Sequence, residues 1–151
     1  MLSKKAKYAI KALILLGKNY KQRSLNAVQI ADAENIPQRY LRSILSDLKI
    51  GGYIYSLKGV DGGYSLRESP EKITLDKIIR QIDGPIARIS CASIFHYHKC
   101  DECAEEVTCS IRDLFIDIRE ADFKILSGTS IADMISKEGS LVANLLLNQK
   151  K

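Results

Sequence analysis

The stretch from Ser24 to Arg67 leaves this chain few folds to choose from. Ser24 or Asn26 is placed to cap a helix running to about Glu34, with Leu25, Val28, Ile30 and Ala31 apolar. Asn35-Ile36-Pro37 interrupts it, and Pro37 suits the first turn of a further helix, where its missing N–H is not needed. That helix carries Tyr40, Leu41, Ile44, Leu45 and Leu48 at spacings of three and four until Gly51-Gly52 stops it. Tyr53–Leu57 is rich in β-formers, Lys58–Gly63 supplies turn chemistry, and Tyr64–Arg67 returns as a second strand. Two short helices followed at once by a hairpin predict a winged helix-turn-helix.

The outer side of the third helix bears Gln38, Arg39, Arg42, Ser43 and Asp47, with Tyr40 beside them. A recognition helix carries such side chains into the major groove from its N-terminal end, where Arg pairs with guanine and Gln with adenine. Lys58 and Gly59 at the hairpin tip offer a cation and backbone N–H groups to a phosphate or a minor groove. A preceding helix over 4–19 has a broad apolar face of Ala6, Ala9, Ile10, Leu13, Ile14 and Leu16. Lys4 and Lys5 at its start oppose the helix dipole, so an external phosphate is a candidate partner for them. A solvated basic face would show the same residues, but the charge is not spread evenly. Residues 1–72 hold 13 Lys/Arg against 6 Asp/Glu, whereas 73–151 hold 10 against 12, so only the first part is suited to a polyanion.

Lys11 breaks the apolar run from Tyr8 to Gly17 and no small-residue cleavage site follows, which argues against a signal peptide. No stretch approaches the ~18 apolar residues of a membrane span, so the expected location is cytoplasmic, with no membrane partner. Beyond Pro70, Thr74 caps a helix with Leu75, Ile78, Ile79 and Ile82, closed by Gly84-Pro85. Residues 110–127 form a strong helix with one stripe of Ile111, Leu114, Phe115, Ile118, Ala121, Ile125 and Leu126 and a second patch of Ile116 and Phe123. A helix apolar on two sides must bury both, which predicts a homodimer, with a central core helix in a monomer as the alternative. Thr129 or Ser130 starts a last short helix through Met134 and Ile135, and the tail after Gly139 folds back through Leu141, Val142 and Leu145–Leu147 or frays.

All four cysteines, Cys91, Cys100, Cys103 and Cys109, fall within 19 residues, together with the only histidines, His96 and His98. They lie in a polar segment beside Asp101, Glu102, Glu105 and Glu106 rather than on an apolar stripe. A cytoplasmic chain rarely holds structural disulfides, so metal ligation or thiol redox chemistry is expected. Thiolates suit zinc or an iron–sulfur cluster, and spacing alone does not separate the two. A dithiol enzyme using Cys100 and Cys103 would need a strand–helix α/β scaffold, which is not visible. No glycine-rich nucleotide loop or triad spacing is present, so the chain is not expected to be an enzyme.

Several short motifs together resemble the Rrf-two family of winged-helix regulators, which includes IscR, NsrR, RirA and CymR. They are Lys7-Tyr8-Ala9, Gln29-Ile30-Ala31, Tyr40-Leu41, Gly59 with Gly62-Gly63-Tyr64-Ser65-Leu66, Ile73-Thr74-Leu75 and Thr129-Ser130-Ile131-Ala132-Asp133. The resemblance spans nearly the whole chain and implies a homodimeric transcription factor, often a repressor, on a palindromic double-stranded DNA operator. Many members hold an iron–sulfur cluster through three cysteines before the dimer helix, and Cys91, Cys103 and Cys109 look like those three. Two departures stand out. The first interval is longer than the usual five residues and contains Cys100, and Arg112 occupies the place of an IscR-type histidine ligand. Cys100 is therefore the first candidate for a fourth ligand, His96 or His98 the second, and a residue of the partner subunit the third. Arg42 also replaces the acidic residue that follows Tyr-Leu in IscR-type proteins, so their operator preference does not transfer.

The sequence thus predicts a mainly α fold with a small β-hairpin wing. Residues 1–84 would form the winged helix-turn-helix DNA-binding domain, 85–109 a cysteine-bearing sensor loop, and 110–151 the dimerisation and C-terminal helices. The expected function is a dimeric transcriptional repressor whose DNA affinity is set by a 2Fe-2S or 4Fe-4S cluster responding to redox state, nitric oxide or iron supply. The alternative is a cluster-free regulator working through thiol oxidation, zinc or a partner protein.

Overall fold

The computed structural model describes residues 2–59 and 62–148. Val60 and Asp61, expected to complete the wing turn, lie outside the described residues. The elements are α1 (Lys4–Lys18), α2 (Ala27–Glu34), α3 (Gln38–Ile50), β1 (Ile54–Leu57), β2 (Gly63–Leu66), α4 (Leu75–Asp83), α5 (Ser110–Ser127) and α6 (Ile131–Asn148), with 3₁₀ turns at Pro70–Lys72 and Ser90–Ala92.

Local chemistry accounts for most of these boundaries. Ser3 caps α1 by accepting from the Ala6 N–H. Asn26, rather than Ser24, caps α2 in a reciprocal box with Gln29. Asn35 then enters the left-handed region (φ 52), which turns the chain into α3. The core is a single cluster whose largest fully buried side chains include Leu13 and Leu16 of α1, Leu41, Ile44, Leu45 and Leu48 of α3, Ile54 of β1, Ile78 of α4 and Ile131 of α6.

The hairpin pairs Ile54 with Leu66 and Leu57 with Gly63, and Leu25 adds an isolated bridge to Tyr64 on its outer edge. Gly63 is there for close approach: a Cβ would stand 2.6 Å from the Leu25 carbonyl carbon and oxygen. The result is a three-helix winged helix-turn-helix, mainly α with one small hairpin.

The C-terminal helix departs from expectation. A short helix ending near Ile135 was expected, with a folded-back or frayed tail; instead α6 runs unbroken to Asn148. Ser130 and Asp133 start it firmly, because Ser130 N–H and Oγ donate to Asp133 Oδ2 at 2.8 and 2.6 Å while Asp133 N–H donates to Ser130 Oγ. Gly139 lowers helix propensity by only ~1 kcal/mol, too little to stop a run of Leu, Val and Ala. The first half of α6 docks on α1 across Gly17, where a Cβ would meet Ile135 at 2.8 Å. Its second half, with Leu141, Val142, Leu145, Leu146 and Leu147, stays exposed. Helix α5 buries no residue fully, and Ile111, Leu114 and Ile125 face outward. Among the described residues no helix is long and apolar enough to cross a membrane.

Candidate nucleic-acid interface and cysteine loop

Gln38, Arg39, Arg42 and Ser43 are all exposed along α3, while Leu41, Ile44, Leu45 and Leu48 anchor its other side in the core. Tyr40 is half in this surface, its ring edge-on to Tyr8 of α1 with centroids 5.8 Å apart. Lys58 and Gly59 are exposed at the end of β1, and Gly59 takes a φ of 112 that a side chain would strain. Lys49 of α3 donates to Ser56 Oγ of β1 at 3.0 Å, tying the end of the helix to the hairpin.

The two lysines at the start of α1 differ. Lys4 is exposed, whereas Lys5 Nζ lies 2.6 Å from Asp47 Oδ2 on α3. The hydrogen bond to Asp47 holds the Lys5 ammonium above its usual pKa. Sequence gave no sign of this pair, because 42 positions separate its members and neither belongs to a local motif.

Cys103 and Cys109 stand together at the N-terminus of α5, with Cys100 hydrogen-bonded to Cys103. Cys109 is the N-cap of α5, and its sulfur accepts the Arg112 N–H at 3.5 Å. That bond, assisted by the Cys103 thiol, holds the Cys109 thiol below its usual pKa. Cys103 Sγ donates to Cys109 Sγ at 3.8 Å. Hydrogen bonds to Cys100 and then to Cys109 push the Cys103 thiol up to about 12. Cys91 is buried in the Ser90–Ala92 turn, and Arg112 Nε reaches back to its carbonyl at 3.0 Å, so Arg112 clips the two ends of the loop together. Glu106 organises the middle: Tyr97 Oη donates to it at 2.5 Å and the Cys100 N–H at 3.2 Å. Those two bonds hold the Glu106 carboxyl below the usual carboxylate range, and the same partner raises the Tyr97 hydroxyl. His96 and His98 are exposed.

The donor chemistry fits a thiophilic metal or cluster. A tetrahedral metal with arms of ~2.3 Å to sulfur sets its thiolates about 3.8 Å apart, and Cys103 and Cys109 already stand at 3.8 Å. A closed ligand set is not assembled in advance, since no group of three or more His, Cys, Asp or Glu among the described residues stands in a metal-binding arrangement. Such sites commonly close on the metal itself.

The loop is also joined to the rest of the chain. Arg80 of α4 pairs with the buried Asp76 and lies 5.6 Å from the ring centroids of both Phe95 in the loop and Phe123 in α5. Arg119 of α5 donates to the Ala92 carbonyl, and Arg88 pairs with Asp122 at 3.3 Å. None of these ties was visible as a sequence motif.

Comparison with known proteins gives a consistent result. The profile of the Rrf2 family, described as an iron-dependent transcriptional regulator, matches residues 2–137. An rrf2-like HTH-type transcriptional regulator of Rhodobacter capsulatus is 36% identical over 149 residues, covering 97% of this chain and 99% of the relative. The structure of CymR, the global cysteine regulator of B. subtilis, superposes with a TM-score of 0.76 at 30% identity, covering 91% of this chain and 97% of that one. An oxidized form of Staphylococcus aureus CymR has a TM-score of 0.69 at 26% identity, covering 89% of this chain and 95% of that one.

Proposed function

The chain belongs to the Rrf2 family of transcriptional regulators, and from that premise we propose that it is a homodimeric repressor whose grip on DNA is set by an iron–sulfur cluster on the cysteine loop. The DNA-reading body is residues 1–84, the sensor loop 85–109, and the dimerisation and C-terminal helices 110–151. Gln38, Arg39, Arg42 and Ser43 read the major groove of a palindromic operator, with Tyr40 at their edge. Lys58, Gly59 and Lys4 meet the backbone or minor groove, and Lys5 joins them where its pair with Asp47 opens. Cys91, Cys103 and Cys109 hold the cluster, with Cys100 as fourth ligand. A cluster supplies one-electron redox chemistry and sensitivity to oxidants, nitric oxide and iron supply. This chain's own residues hold it in place and carry its state outward: Arg112 fixes both ends of the loop, and Phe95 lies against Arg80 of the DNA-binding body.

The observation that carries this reading is the pair of sulfurs 3.8 Å apart at the start of a helix whose outward face is apolar. It fits the iron-dependent description of the family. Dimerisation would cover Ile111, Leu114 and Ile125, which a single chain leaves in water. The test is anaerobic purification followed by an absorption spectrum with iron and acid-labile sulfide analysis. Coloured protein containing both is expected. A colourless, folded protein containing only zinc overturns the cluster.

A second reading, regulation by thiol oxidation, is favoured by the same sulfurs. In it peroxide is reduced to water as Cys103 and Cys109 give up their two protons and two electrons and form a disulfide. A solved relative bears the description of an oxidized form. DNA binding that responds to peroxide but not to iron removal would select it.

A further inference from the structure

We propose that a basic cleft on the outer face of the hairpin, between β1–β2 and the α1–α2 turn, binds the phosphates of the duplex beyond the wing. This rests on the DNA-binding reading above and adds a second contact surface to it. The cleft has a volume of about 340 Å³ and is walled by Tyr20, Lys21 and Arg23 of the turn and by Tyr55, Leu57 and Arg67 of the hairpin. Tyr55 and Ser65 are register partners, so they share the face opposite the buried Ile54 and Leu66.

Three cations converge there, and no carboxylate is among the described residues that line it. None of the three makes an ion pair with a described carboxylate. Lys21 is held in a left-handed backbone conformation (φ 59), with Nζ 5.4 Å from the Tyr20 ring centroid. Arg23 spends only its Nε–H on Asn19, at 2.9 Å, so its terminal nitrogens remain free to meet an anion. Like charges gathered in a concavity focus the field and draw a polyanion rather than a neutral partner.

Position selects which polyanion. Leu57 lines the cleft and is followed directly by Lys58, the wing-tip cation. Strand residues advance ~3.3 Å each, and phosphates recur along each DNA strand every ~3.4 Å of axis. A duplex touched by Lys58 therefore brings further phosphates within reach of Arg67, Lys21 and Arg23. The cleft would lengthen the footprint without adding base specificity.

The test uses the full chain and a duplex that it selects from a random-sequence pool. The duplex is prepared at minimal length and extended by about ten base pairs at each end, one helical turn. For the wild type, with three cations in the cleft of each protomer and an extension at both ends, the plot of log affinity against log salt should be steeper on the extended duplex by about 5. The triple variant Lys21→Gln/Arg23→Gln/Arg67→Gln should lose that difference while keeping its affinity for the minimal duplex. The charge-preserving Lys21→Arg/Arg23→Lys/Arg67→Lys should retain it. A triple variant that keeps the difference overturns the proposal and leaves the DNA-binding reading intact. A wild type that selects no duplex overturns both. Saturable binding of inorganic pyrophosphate at the cleft, with no slope difference on DNA, would identify a free phosphate ligand and overturn DNA as the source.

Discussion

Arg80 places its guanidinium 5.6 Å from the ring centroid of Phe123, so a residue of α4 rests on α5, the helix expected to form the dimer. The same guanidinium faces Phe95 from the cysteine loop and pairs with Asp76, whose side chain is only 4% exposed. One side chain thus touches all three parts of the chain. Removing it leaves a buried carboxylate without its cation. Arg80→Gln should cost about 1–3 kcal/mol, below the ~3–5 of a fully buried pair because a third of Arg80 stays in water. Urea unfolding would measure it. Arg80→Lys keeps the charge but loses the planar stack, and should recover most of the stability while weakening the link between loop state and DNA affinity. Equal coupling in Arg80→Lys and wild type would remove Arg80 from that route.

The DNA surface should separate into readers and holders. Neutralising Arg39, Arg42 or Lys58 should each weaken operator binding, and loss of a phosphate contact should flatten the salt dependence by about 1. Lys5 should behave differently from Lys4, because its ammonium is already committed to Asp47 at 2.6 Å. Asp47→Asn would release it and should tighten DNA binding. Unchanged affinity in Asp47→Asn would show that Lys5 serves only to join α1 to α3.

The fourth ligand of the proposed cluster can be found by subtraction. Cys103→Ser and Cys109→Ser should each abolish bound iron, since these sulfurs already stand at ligand spacing. Cys100→Ser should lower iron content or shift the spectrum, whereas His96→Ala and His98→Ala should not, as both are exposed. Iron loss in either histidine variant with a silent Cys100→Ser would reverse that order.

Gly63→Ala tests the hairpin. The added Cβ would meet Leu25 backbone, which cannot move away as a flexible side chain could. A loss of about 1–3 kcal/mol is expected, read as a lower Tm. An unchanged Tm would mean that the bridge between Leu25 and Tyr64 is dispensable.

The start of α6 should be sensitive to acid. Ser130 lowers the Asp133 pKa through its hydroxyl first and its N–H second. A carboxyl with a depressed folded pKa favours the folded state above its unfolded value, 3.8, and that contribution is lost as pH falls through the lower folded value. Ser130→Ala should therefore lower Tm at neutral pH and make the acid limb shallower. An identical acid limb would rule out the pair as its source.

Local chemistry in the sequence was enough to lay out the winged helix-turn-helix fold. Asn26, Pro37 and Gly51-Gly52 act on their own neighbours, and apolar spacing within α1 and α3 follows from helical period alone. The grouping of four cysteines before α5 was equally plain. What needed the tertiary structure were contacts between residues far apart in the chain: Lys5 with Asp47, Lys49 with Ser56, Arg80 with Phe95 and Phe123, and the basic cleft that joins the α1–α2 turn to the hairpin. None has a periodic signature, because each depends on how two elements pack rather than on the path of either. The length of α6 lay between these cases. Its start could be placed at Thr129 or Ser130, but whether Gly139 would end the helix depended on a balance of about 1 kcal/mol that pattern alone does not resolve.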